Sequence, residues 1–182
     1  MFIYNIAKLE RIIDNYKKRT RKSVDYHVQF CLDQKNLKDA IEAAAKAVDD
    51  YGKIHFHQRR VSKAELLAFA EKLATLENYL ANAESFDAIY DTVKNLNQPN
   101  INEITIFDTA FRIGSYLNLF PDKIYLTSGT RIGAEHLLGK LGNINTLLPT
   151  DFPSPFQRKD LSIADIEDIL YVCKNEFEYC VK

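Results

Sequence analysis

The residues of this chain that are best suited to chemistry lie in the segment Ile104–Leu138, where polar side chains interrupt apolar sequence. Asp108, Thr109 and Arg112 fall within the apolar run ITIFDTAFRIG, and Ser128-Gly129-Thr130-Arg131 follows a turn. Packing does not require such residues in apolar surroundings, because polar and charged side chains are mostly exposed in folded proteins. We therefore expect part of any functional site to lie in this segment.

The residues Ser128, Gly129, Thr130 and Arg131 have the form of an anion-binding turn. Helix-terminal amides, two hydroxyls and one guanidinium could all face a phosphate or carboxylate, with Arg112 or Arg59 nearby. Neither the Walker pattern nor the dinucleotide-binding glycine pattern is present in the sequence. The alternative is an ordinary helix cap, made by Ser128 or Thr130, followed by a turn.

Asp108 has two interpretations. It lies four residues before Arg112, so the two side chains could form an ion pair on one helix face. Its apolar neighbours Phe107, Phe111 and Ile113 could instead raise the pKa of the carboxyl group, and Asp108 would then serve as a catalytic base.

His55 and His57 are two residues apart, and on extended backbone both imidazoles would face the same side and could share a metal ion. A metal site needs further ligands, and the sequence anchors none, so no metal and no cofactor is predicted. A polar, hydrogen-bonded connection is favoured. A second interpretation groups His55 and His57 with Gln58, Arg59 and Arg60 as an anion-contacting edge, because guanidinium groups suit phosphate.

The segment Phe107-Asp108-Thr109-Ala110-Phe111-Arg112-Ile113, continued by Tyr116-Leu117-Asn118-Leu119, resembles the catalytic-aspartate stretch of helix-hairpin-helix DNA glycosylases. That family carries an apolar-Asp-Thr step, then an Arg, usually one residue further along, and a leucine-rich helix. The family's Gly-apolar-Gly hairpin and iron–sulfur cysteines are absent here, and Asn100-Ile101-Asn102 stands near the hairpin position. The resemblance implies an all-helical DNA-repair fold with Asp108 as the catalytic carboxylate.

In the segments that must position these groups, the apolar residues recur mostly with helical spacing. It predicts an all-α, single compact domain over residues 1–182 with about seven helices and little or no sheet. Residues 24–32 allow either a helix or a strand, and Pro149, Pro153 and Pro155 predict irregular backbone over residues 146–160. The predicted helices are Ile3–Arg19, Asn36–Val48, Ser62–Ala83, Phe86–Leu96, Ile104–Leu119, one from Ser128 or Thr130 to Gly139 or Gly142, and one that Ser162 caps.

Nine apolar residues on these helical stripes are expected to be buried. They are Leu66, Phe69, Leu73, Ile113, Leu117, Leu137, Leu138, Ile166 and Leu170.

The composition limits which binding partners and which cellular compartment are expected for the chain. The 182 residues carry a formal net charge of −1, so no global charge drives the chain to nucleic acid or membrane. The basic run Lys17–Lys22 is typical of a solvated helix end rather than a nucleic-acid contact. Three cysteines without a paired motif, no secretory signal and no long apolar stretch predict a cytoplasmic protein that does not contact membranes.

From these residues we expect a binding module for an anionic partner, nucleic acid or a phosphorylated ligand. Its expected contacts are His55, His57, Arg59, Arg60, Arg112, Ser128, Gly129, Thr130 and Arg131. Two alternatives are a glycosylase-like or nucleotide-processing enzyme with Asp108 as its base, and a protein-interaction module with an exposed aromatic patch. The salt dependence of binding identifies the anion-binding module, because phosphate contacts weaken as the salt concentration rises.

Overall fold

The computed structural model of the chain describes residues 2–20 and 25–181. Over these residues the fold is mostly helical, as predicted, with ten α-helices and one two-stranded antiparallel sheet. The chain packs as two compact units, one built from residues 1–23 and 122–182 and the other from residues 24–121. One domain spanning residues 1–182 stays a prediction.

The bounds of the elements follow the chain. The helices are α1 (Ile6–Thr20), α2 (Tyr26–Leu32), α3 (Leu37–Lys46), α4 (Lys63–Ala74), α5 (Glu77–Ala81), α6 (Phe86–Asn95), α7 (Glu103–Leu117), α8 (Ser128–Leu138), α9 (Ile163–Val172) and α10 (Lys174–Phe177). The strands are β1 (Ile124–Tyr125) and β2 (Thr146–Leu147), with Ile124 opposite Leu147. Short 3-10 helices span Phe56–Gln58, Pro149–Asp151 and Ser154–Gln157.

Side-chain caps start most of the longer helices. Ser62 and Glu65 form the predicted capping box at α4, in which the Ser62 hydroxyl accepts from the Glu65 amide and the Glu65 carboxylate accepts from the Ser62 amide. Such a cap contributes roughly 1 kcal/mol to stability. Ser162 and Asp165 make the same arrangement at α9, so the predicted cap at Ser162 is also confirmed.

The helix count differs from the prediction of about seven because two predicted helices are divided and one ambiguous segment is helical. The predicted helix Ser62–Ala83 ends at Ala74, where the amides of Thr75 and Leu76 bond three residues back and tighten the last turn. The helix after Ser162 is likewise divided at Cys173, and Asp25 caps residues 26–32 as α2.

Each unit has its own core. Residues 24–121 bury Leu66, Phe69, Leu73 and Ile113, each no more than 1% exposed. The other unit buries Leu137, Ile166 and Leu170 within one apolar cluster. Seven of the nine predicted core residues are therefore buried, whereas Leu117 and Leu138 are only partly covered.

Two further expectations concern the surface. Across residues 2–20 and 25–181, no helix combines the length and apolar character needed to cross a membrane. In the basic run, Lys17 pairs with Asp160 at 2.8 Å, and Lys18 and Arg19 lie near the end of α1. Arg21 and Lys22 lie outside the described residues.

The three thiols are buried and form no disulfide. Burial raises the pKa of Cys31 to about 12 and that of Cys173 to about 11, and it also raises the pKa of Cys180. The thiolate is the reactive form of cysteine, so all three residues are held in their unreactive state at neutral pH.

We expect the native protein to react with a thiol reagent at pH 8 at least about tenfold more slowly than the unfolded chain, since reactivity follows thiolate content and access. Colorimetric thiol titration with and without denaturant measures the two rates. Three rapid equivalents in denaturant confirm that all thiols are reduced. A rapid equivalent in the native protein would contradict the burial of the cysteines.

Candidate functional site

A tight loop after α3 positions the histidine pair. Helix α3 ends at Lys46, and the φ of 54° at its cap, Ala47, lies in the left-handed region and turns the chain back. Val48 then pairs with Ile54 in an isolated antiparallel bridge, and the His55 amide donates to the Ala47 carbonyl at 2.8 Å. These contacts fix His55 against the end of α3.

Asp49 closes this loop from inside. Its carboxylate accepts from the amides of Lys53 at 2.8 Å and Tyr51 at 3.1 Å, and the residue is only 8% exposed. The bond from the Lys53 amide is the main cause that holds the pKa of Asp49 below its ordinary value. The loop is therefore locked by an ionised carboxylate that satisfies two backbone donors.

Asp108 of α7 is the centre of the site. Its Oδ2 lies 2.8 Å from Nδ1 of His57 and accepts a hydrogen bond from the side-chain Nε2 of Gln58, also at 2.8 Å. His55 Nδ1 is 3.8 Å from the same oxygen. The polar connection predicted for the histidines is present, and it bonds to a residue about fifty positions away in the sequence.

Arg112 supports Asp108 from within the core. The predicted pairing at i,i+4 is present, with Nη2 of Arg112 at 4.0 Å from Oδ2 of Asp108. The guanidinium also donates to the Gln58 side-chain oxygen and to the Ala44 carbonyl, each at 3.3 Å. Arg112 is 3% exposed, so the prediction that it contacts a ligand directly is not supported by its burial.

The pKa of Asp108 is lowered, and the alternative that apolar neighbours raise it is wrong. Burial acts to raise it, but the hydrogen bond from His57, the charge of Arg112 and the hydrogen bond from Gln58 together outweigh burial. Asp108 is thus ionised at neutral pH. An ionised carboxylate with these partners is placed to accept the hydrogen bond from His57.

A third imidazole joins the pair. The His27 ring meets the His55 ring edge-on with centroids 4.7 Å apart, and the His55 and His57 rings are 4.8 Å apart. Burial first, and then the charge of Arg112, lower the pKa of His55 to about 4. We call His27, His55, His57 and Asp108 the histidine–aspartate cluster.

The residues around and after the histidine pair form a basic segment, residues 53–63, with the sequence KIHFHQRRVSK. Its four cations, Lys53, Arg59, Arg60 and Lys63, are all exposed, and none of its eleven residues is acidic. Phe56 within it is 57% exposed. The predicted edge of His55, His57, Gln58, Arg59 and Arg60 is thus exposed at its two arginines, whereas Gln58 is buried and the two histidines are partly covered.

The turn Ser128–Arg131 belongs to the other unit, and its geometry differs from the prediction. The cap of α8 is Thr127, so the prediction that Ser128 or Thr130 is the cap is wrong. The hydroxyls of Thr127 and Thr130 instead bond to each other at 3.1 Å. Thr130 is 1% exposed and Gly129 is buried, so of the turn's two hydroxyls only that of Ser128 is on an exposed residue.

Arg131 is bonded to the loop after α8. Its guanidinium donates to the carbonyls of Ile144 at 2.7 Å and Gly142 at 3.2 Å, and to the Asn145 side-chain oxygen at 3.3 Å. These bonds give Arg131 a structural task in holding the loop. Anion binding by this turn stays a prediction.

No family model, curated protein or solved structure matches this chain. The resemblance to helix-hairpin-helix glycosylases around Asp108 stays a prediction.

Two parts of the site are not evident from the sequence. His27 has no visible partner there, and Gln58, expected on an anion-contacting edge, links Asp108 with Arg112 instead. The sequence offers one signal for Gln58. Its side chain, next to His57 in a basic segment, has both a hydrogen-bond donor and a hydrogen-bond acceptor. Nothing in the sequence indicates which carboxylate they meet.

Proposed function

We propose that the protein binds single-stranded nucleic acid through the basic segment. The observation that carries the proposal is the exposure of all four cations in an eleven-residue stretch without a carboxylate. Such a stretch can follow a phosphate backbone even when the whole chain is close to neutral. The two adjacent guanidinium groups of Arg59 and Arg60 suit phosphate oxygens in particular.

Exposed aromatic rings support a single-stranded partner. Phe56 lies between the two histidines, Tyr26 precedes His27, and Tyr51 lies two residues before Lys53. They are 57%, 64% and 87% exposed. Bases of a single strand stack on such rings with roughly 1–3 kcal/mol each, whereas paired bases in a duplex are not available to them.

Replacing both Arg59 and Arg60 with Ala is expected to weaken binding to a labelled single-stranded oligonucleotide by about tenfold, because charged hydrogen bonds to phosphate are lost. Fluorescence anisotropy at several salt concentrations measures the effect. The slope of log affinity against log salt is expected to fall by roughly 1.4, or about 0.7 for each phosphate contact to a single strand.

Lys38→Ala provides the matched control in the same unit. Lys38 is exposed and lies nine residues before Ala47, or about 13 Å along α3 at roughly 1.5 Å per residue. Its loss is expected to leave the affinity unchanged. Equal effects of the two variants, or no binding by the wild-type chain, would contradict the proposal.

A second candidate, an enzyme that processes a nucleotide or nucleic-acid bond, is favoured by the hydrogen bond between His57 and Asp108. A carboxylate that orients an imidazole is a common arrangement for general acid–base catalysis. In such an enzyme His57 would transfer the proton, and Asp108 would position the His57 ring. Recovery of the oligonucleotide unchanged after incubation, with its bases and length intact, counts against this candidate but leaves binding untouched.

A further inference from the structure

We propose that His55, His57 and Asp108 bind a divalent transition-metal ion of the zinc type. Each residue offers one ligand atom, and the three atoms lie within 4.8 Å of one another. Ligand atoms around tetrahedral zinc are roughly 3.4 Å apart, because metal–ligand distances are about 2.0–2.1 Å. Modest side-chain rotations therefore bring the three atoms into one coordination shell.

The donor set indicates the class of metal. Two imidazole nitrogens and one carboxylate suit zinc and its first-row neighbours, whereas calcium and magnesium prefer shells of oxygen. Three of the chain's four histidines belong to the histidine–aspartate cluster. The His27 ring packs edge-on against that of His55, and its Nε2 lies 3.1 Å from the Lys53 carbonyl, so His27 borders the three ligands.

The surroundings of Asp108 match those of a metal-binding carboxylate. Gln58 donates to it at 2.8 Å, and Arg112 lies 4.0 Å away while bonding to Gln58 and to the Ala44 carbonyl. Hydrogen bonds of this outer kind orient ligands and are typical of metal sites. They hold the carboxylate in place whether or not an ion is bound.

Solvent can reach the cluster. The side chains of His55, His57 and Asp108 are 13–16% exposed, so an ion from solution has access to them. An ion that binds between His57 and Asp108 takes the place of the proton on the 2.8 Å hydrogen bond, and that proton passes to solvent. Three protein ligands leave a fourth position for water.

The experiment measures metal binding without any nucleic acid, so it can fail or succeed independently of the proposed function. Untagged protein is stripped with a chelator and dialysed to equilibrium against Zn²⁺, and bound zinc is measured by atomic absorption. One equivalent per chain is expected. His57→Ala and Asp108→Asn are each expected to lower the affinity at least about tenfold, and Co²⁺ is expected to show the visible absorption of a tetrahedral site.

His136→Ala is the matched control, because His136 is the one remaining histidine and bonds to the Lys174 carbonyl in the other unit. It is expected to leave zinc binding unchanged. Circular dichroism checks that each variant is folded, and His55→Gln replaces any variant that is not. Absence of stoichiometric zinc, equal loss in the His136 variant, or retained affinity in folded cluster variants would overturn the proposal.

Discussion

Replacing Arg112 with Met is expected to lower the free energy of unfolding by about 3–5 kcal/mol, because removing one partner of a buried ion pair leaves the other charge uncompensated. Asp108 would lose its positive neighbour, and the acceptors on Gln58 and Ala44 would lose their donors. Urea unfolding at pH 7, followed by circular dichroism, measures the change.

The pH dependence of this effect has a defined sign. The pKa of Asp108 is lowered in the folded chain, so its ionised form contributes stability above the ordinary carboxyl pKa. That contribution is lost as the pH falls through the folded-state value. The cost of Arg112→Met is therefore expected to be largest at neutral pH and to shrink in acid.

A double variant separates the ion pair from side-chain packing. Asp108→Asn combined with Arg112→Met removes both charges, and its loss of stability is expected to be smaller than the sum of the two single losses. Lys38→Met, at an exposed position of the same unit, is expected to change stability by no more than about 0.5 kcal/mol. If Arg112→Met lowered the free energy of unfolding by less than about 1 kcal/mol, the guanidinium would be dispensable for stability.

Gly133→Ala is expected to destabilise the protein by about 2 kcal/mol, because overpacking a close contact costs about 1–3 kcal/mol or more. Gly133 lies in α8 where that helix meets α9. A Cβ at this position would lie 2.9 Å from the carbonyl carbon of Leu170 and closer still to its oxygen. The obstacle is backbone, which cannot rotate away as a side chain can.

Helix propensity acts in the opposite direction at this position. Ala is better than Gly in a helix by about 0.8–1.0 kcal/mol, so a purely local effect would stabilise the chain. Thermal unfolding decides the sign, with Ser128→Ala as an exposed control on the same helix. An increase in Tm for Gly133→Ala would mean that α8 and α9 can move apart at little cost.

The sequence predicted the helices well where local signals decide them. Ser62 and Ser162 begin helices because each is followed at the right distance by a carboxylate that completes a capping box. Leu66, Phe69 and Leu73 are buried because their spacing places them on one face. These features depend on residues that are only a few positions apart.

The candidate site could be predicted only in part, because its contacts join distant residues. Periodicity placed Asp108 on a helix and identified Arg112 as its neighbour, but it could not show that His57 and Gln58 reach the same carboxylate. The alternative interpretation, in which apolar neighbours raise the pKa of Asp108, is wrong for this reason. At the start of α8 the predicted cap, Ser128 or Thr130, is wrong for a different reason, because the pattern does not reveal that the cap is Thr127.

The burial of the native thiols makes this chain a suitable host for a single engineered label. Tyr51 is 87% exposed in the loop that Asp49 closes, four residues before His55. Tyr51→Cys would introduce an accessible thiol, and a maleimide dye could then be attached while Cys31, Cys173 and Cys180 stay in place. A dye at this position would report by its emission when an ion arrives at the neighbouring cluster.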